Sequence, residues 1–101
     1  MKSGFIEILS ALHDHHVDFV IVGGVAAAIH GGPRVTFDLD LVHRGSETFD
    51  KLRQRAVKVT IDQRTFLVAS IDDLISMKQR AGRPGDLLDI AELRNIQKRL
   101  D

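Results

Sequence analysis

The sequence predicts a small α+β (mixed α/β) domain, a small mixed sheet with flanking helices. Three observations carry this. A short, almost wholly apolar run, Asp18-Phe-Val-Ile-Val22, reads as a strand buried on both sides. Residues 34–41 alternate strictly, with Arg34, Thr36, Asp38 and Asp40 polar and Val35, Phe37, Leu39 and Leu41 apolar, the pattern of a half-buried strand. Segments of helical periodicity stand before, between and after the strand-like runs.

In chain order, residues 4–16 place Phe5, Ile8, Leu9 and Leu12 on one helical face, with Ser3 as N-cap. The buried strand follows and runs straight into Gly23-Gly24. Val25-Ala-Ala-Ala-Ile29 has small side chains and good helix propensity, and Gly31-Gly32-Pro33 ends it. The alternating strand stops near His43-Arg44-Gly45. Residues 46–54 predict a short helix capped by Ser46, with Phe49 and Leu52 on one side. Val57–Ile61 and Phe66–Val68 flank Asp62-Gln63-Arg64 as a β-hairpin. Ser70-x-x-Asp73 is a capping box that opens a helix bearing Leu74, Ile75 and Lys78, broken at Gly82 and Pro84. A last helix is expected from about Asp86 to Leu100, with Leu87, Ile90, Ala91 and Leu93 as its apolar side. The whole forms a single domain of 101 residues, large enough for a modest core.

Composition narrows the function. Lys+Arg and Asp+Glu number 14 each, which argues against a general nucleic-acid binder. Five Phe, with no Trp or Tyr, leave little for stacking on single strands. Cysteine is absent, so disulfides and thiolate metal sites are excluded. No apolar run approaches the ~20 residues of a membrane span, and a cytoplasmic location is the expectation.

The chemistry concentrates in two places. On one strand face Asp38 and Asp40 sit with Cα atoms about 6–7 Å apart, and two adjacent anions call for a cation, Mg²⁺ (or Mn²⁺) by its preference for oxygen. Arg34 shares that face and is the rival neutraliser. Gly23-Gly24 lies where a buried strand meets a helix, a position whose amides hold anions and where glycine lets a phosphate approach. A tight turn needing positive φ explains the same pair without a ligand. Lys78 or Arg83 is a candidate to touch phosphate; an ion-paired corner with Asp86 as an N-cap is the favoured account of Asp86 and Asp89 and explains Lys78 equally. His13, His15 and His16 lack the pattern of a zinc site and suit a helix C-terminus.

Together, Val22-Gly23-Gly24-Val-Ala26, the Gly32-Pro33-Arg34-x-Thr36-x-Asp38-x-Asp40 strand and the stretch from Ser70 through Lys78, Arg83 and Asp86 to Asp89 resemble the nucleotidyltransferase superfamily of the DNA-polymerase-β type. The nearest branch is its small bacterial members related to abortive-infection toxins and minimal, antitoxin-type proteins. The resemblance covers roughly residues 17–44 and 56–93. It implies transfer of a nucleotide from an NTP substrate to an acceptor, RNA, protein or small molecule. Asp38 and Asp40 would act as catalytic metal ligands, and Gly23, Gly24, Arg34 and Lys78 would hold the nucleotide. The chain departs from the pattern at Gly24, where many members carry Ser, and in its shortened middle. There the third carboxylate has no match beyond Glu47, Asp50 and Asp62 by residue type. The alternative is a catalytically degenerate member acting as a regulatory or antitoxin-like module. A shortened sheet exposes an edge, so a homodimer is also expected.

Overall fold

The apolar run before the glycine pair becomes an inner strand of a four-stranded mixed sheet. The structure, a computed structural model, describes residues 4–31 and 39–100. In chain order the elements are α1 (Gly4–Asp14), β1 (Phe19–Val22), α2 (Gly23–Ile29), β2 (Asp40–His43), α3 (Phe49–Arg55), β3 (Val57–Ile61), β4 (Arg64–Val68), α4 (Ile71–Ala81) and α5 (Pro84–Leu100). The sheet order is β2-β1-β4-β3. β1 pairs antiparallel with β2 and parallel with β4, and β3 and β4 form an antiparallel hairpin. This is the α+β architecture and the element order that the sequence predicts.

All four β1 residues are buried, as a strand covered on both faces requires. Val20, Ile21 and Val68 are sealed at the seam between β1 and β4, with Leu9, Phe49, Leu74 and Leu93 packed from the helices. Each such side chain is worth about 1.5–3 kcal/mol in transfer free energy. Past the strand ends, the Ala69 amide donates to Ile21 O at 2.9 Å, and His30 Nε2 lies 2.8 Å from Ala69 O. These bonds fix the ends of β1, α2 and β4 against one another.

Local chemistry sets most boundaries. Ser70 is extended (φ −62°, ψ 156°), and its hydroxyl accepts from the Asp73 amide at 3.1 Å, so the expected cap forms. Gly82 closes α4 in the left-handed region (φ 66°). The hairpin turn is shorter than expected. Asp62 and Gln63 alone form it, both at positive φ (50° and 66°), in the two-residue turn that matches strand twist. Arg64 belongs to β4 and forks onto Asp14 at 2.9 and 2.8 Å, tying the end of α1 to the sheet.

Three expectations need correction. Ser46 does not cap α3: the helix begins at Phe49 after Thr48, and Ser46 Oγ is buried without a hydrogen bond among the described residues. α5 starts two residues early, with Pro84 in its first turn, where a missing N–H costs nothing. Its inward side is Ile90, Leu93 and Ile96 together with Asp86, while Leu87 is 71% exposed and Ala91 also faces outward. Among the described residues, no helix is long and apolar enough to cross a membrane.

Candidate functional site

The antiparallel register between β1 and β2 places Val22 opposite Asp40. One residue on, the chain turns. Val22 is extended (φ −127°, ψ −177°), Gly23 has φ +73°, and the N-cap residue of α2, Val22, makes no side-chain cap bond. Asp40 therefore folds its carboxylate against the glycine. A Cβ built on Gly23 would lie 2.6 Å from Asp40 Oδ2, 3.1 Å from its Cβ and 3.3 Å from its Cγ. Glycine is required here twice, by the backbone angle and by the neighbouring carboxylate. The turn explanation holds for Gly23, and the close approach of an acidic side chain stands beside it. Gly24 is not among the positive-φ glycines and continues into α2. Because α2 is only seven residues long, any hold on an anion rests on the turn's own amides rather than on a long helix.

Asp38 and Arg34, expected on the same strand face, lie outside the described residues, as do Gly32 and Pro33. Asp40 is exposed at the start of β2 and available to a ligand.

The second group of predicted residues gathers at the α4–α5 corner. Lys78 Nζ lies 3.1 Å from Asp89 Oδ2 and 3.7 Å from Asp86 Oδ1, with its side chain only 16% exposed. Asp86, buried, accepts from both Arg83 Nε (3.0 Å) and the Arg83 amide (3.3 Å). Asp86 is thus not the N-cap. It sits in the first turn of α5 and reaches back to the residue before the helix, as the acidic partner of a capping box does. Its hydrogen bond to Arg83 holds its pKa below the usual carboxylate range against the opposing effect of burial, with Lys78 adding to the lowering.

Arg83 joins the two groups. Its pKa is raised first by the hydrogen bond to Asp86, and Asp40 and Asp89 raise it further through space. The carboxylate of Asp40 thus acts weakly, through space, on a cation of the α4–α5 corner. Arg83 is 75% exposed, whereas Lys78 is held by two carboxylates.

Among the described residues, no three His, Asp or Glu side chains are placed to hold a metal ion, and Glu47, Asp50 and Asp62 do not build such a group with Asp40. Asp62 serves the hairpin turn instead. At the Gly23 turn the described residues offer one hard oxygen donor, the carboxylate of Asp40. One or two carboxylates plus phosphate oxygens and waters is an ordinary Mg²⁺ environment.

The histidines at the end of α1 have local roles. His13 Nδ1 is 3.3 Å from Asp14, His15 Nδ1 is 2.8 Å from Ala11 O, and His16 takes the left-handed turn (φ 60°). A cleft of about 320 Å³ at the opposite end of the sheet is lined by His13, His16, Arg53 and Phe49, and none of the predicted site residues borders it.

Set against known proteins, the chain matches no protein-family model, no curated protein and no solved structure.

Proposed function

We propose that this protein is a minimal nucleotidyltransferase-type domain that binds an NTP with Mg²⁺ at the Gly23–Asp40 turn and transfers a nucleotide to an acceptor, in the cytoplasm. The observation that supports the reading is the close approach of Asp40 to Gly23: a carboxylate and a side-chain-free backbone turn occupy one spot. The amides of the turn take phosphate oxygens. Asp40, with Asp38 two residues earlier in the sequence, supplies the metal ligands. Arg83, tethered by Asp86 and in the field of Asp40, offsets charge on the phosphate tail. When bound, Mg²⁺ supplies charge neutralisation and orientation of the triphosphate.

Titration calorimetry with ATP and GTP, with and without Mg²⁺, tests this. Binding should require the metal and should vanish in Asp40→Asn and Asp38→Asn while the circular dichroism spectrum stays unchanged. Equal affinity in parent and variants rejects the site.

The second reading, a degenerate member that acts through a protein partner or as a homodimer, is favoured by Lys78. Its charge is already committed to Asp86 and Asp89 and is not presented to a ligand. Under that reading, α-labelled NTPs incubated with cell extract label no acceptor, and the protein forms a stable complex with a partner or with itself.

A further inference from the structure

A separate cleft of about 270 Å³ lies between α3 and α4, bordered by Thr48, Lys51, Arg55, Asp73, Ser76 and Arg80 over an apolar floor of Leu52 and Met77. Three of its side chains are cationic and one is acidic, although the chain as a whole carries no net formal charge. The acid is already committed. Asp73, nearly buried, has its backbone fixed by the Ser70 cap, and its carboxylate takes Arg55 Nε at 3.0 Å and Nη2 at 2.7 Å. That fork orients the guanidinium and leaves its Nη1 donors over. Asp72 also acts on Arg55 through space, but its carboxylate is bonded to Gln97 Nε2 at 2.6 Å. Lys51 and Arg80 form no ion pair among the described residues. Thr48 precedes α3 without spending its hydroxyl on a cap.

Surplus cations over a low-dielectric floor concentrate positive potential, and a guanidinium held by a fixed carboxylate is preorganised for a planar or tetrahedral oxyanion. We propose that the α3–α4 cleft binds a phosphoryl group, with Lys51, Arg55 and Arg80 as charged donors and Thr48 and Ser76 as hydroxyl donors. Its size suits a phosphoryl group with an attached sugar rather than a whole nucleoside triphosphate. A free phosphorylated metabolite and a nucleic-acid backbone share this chemistry.

The test is a ¹H–¹⁵N NMR titration of the full chain at constant ionic strength, first with inorganic phosphate, then with a short 5′-phosphorylated RNA and its unphosphorylated counterpart. Saturable shifts confined to residues 48–55 and 73–80 are expected, with Kd on the order of 1–10 mM for phosphate. In Lys51→Ala/Arg80→Ala, which keeps the Arg55–Asp73 fork, Kd should rise by about tenfold or more. Asp40→Asn should leave these shifts unchanged, which separates this site from the Gly23–Asp40 turn. Tighter binding of both RNAs than of phosphate supports the site and assigns it to a nucleic-acid backbone. Binding that requires the 5′-phosphate supports it and assigns it to a terminal monoester. Absence of shifts with every probe, shifts elsewhere only, or shifts that survive the double substitution overturn the proposal.

Discussion

Gly23→Ala tests the geometry on which the candidate site depends. Two costs apply. Holding alanine at φ +73° costs about 1–2 kcal/mol, since an L side chain crowds the backbone in the left-handed region. The new methyl would also lie 2.6 Å from Asp40 Oδ2 and 3.1 Å from Asp40 Cβ. The oxygen can swing away, because Asp40 is exposed, but the Cβ is fixed to β2, and such overpacking costs about 1–3 kcal/mol. The sum, about 2–5 kcal/mol, lowers Tm by about 4–8 °C per kcal/mol in a domain of this size. Thermal and urea unfolding of Gly23→Ala, Asp40→Ala and the double variant separate the two costs. Asp40→Ala removes the carboxylate and keeps the Cβ, so it should relieve about 1 kcal/mol of the Gly23→Ala penalty and leave the backbone part. Additive effects in the double variant, or a Gly23→Ala protein as stable as the parent, refute the proposed contact.

Other measurements probe the frame. Ser70→Ala should cost about 1 kcal/mol by urea unfolding, through loss of the bond to the Asp73 amide. Lys78→Met should destabilise by about 1–3 kcal/mol, because Asp86 and Asp89 lose a shared, nearly buried cation; an unchanged midpoint would show the pairs to be dispensable. The hydrogen bond from Arg64 lowers the Asp14 pKa to about 2, with His13 contributing. A depressed carboxylate stabilises the fold above its unfolded value, near 4, and that contribution fades as pH falls toward 2. Carboxyl NMR of Arg64→Gln should find Asp14 titrating closer to its ordinary range.

Much of the fold was legible because local signals agreed with it. The apolar run of β1, the Ser70 cap and the turn residues between β3 and β4 each name a structure through short-range chemistry. α5 was misjudged because its inward face carries carboxylates. Asp86 faces the core side to meet Lys78 and Arg83, which sets the helix phase and turns Leu87 outward. A count of apolar residues alone cannot anticipate that. The Gly23–Asp40 contact was foreseeable, since a glycine turn leaving one strand and an acid on its neighbour suffice once the strands pair. The fork of Arg55 on Asp73 joins segments remote in sequence and emerges only from tertiary packing. Lys51 and Arg55, four apart on α3, were a visible basic flank with nothing local to assign it a partner.

The parallel seam joins Val20 to Leu67 and Ile21 to Val68, residues separated by nearly half the chain. Hairpins such as β3–β4 close within microseconds, whereas so distant a pairing must first overcome the entropy of a long loop. On the ribosome, β1 emerges before its neighbours; β2 can shield one of its edges, but the other stays open until β4 has been synthesised. During that interval four consecutive apolar residues present an unpaired edge, so the nascent chain is most prone to aggregate, and most in need of a chaperone, before the hairpin docks.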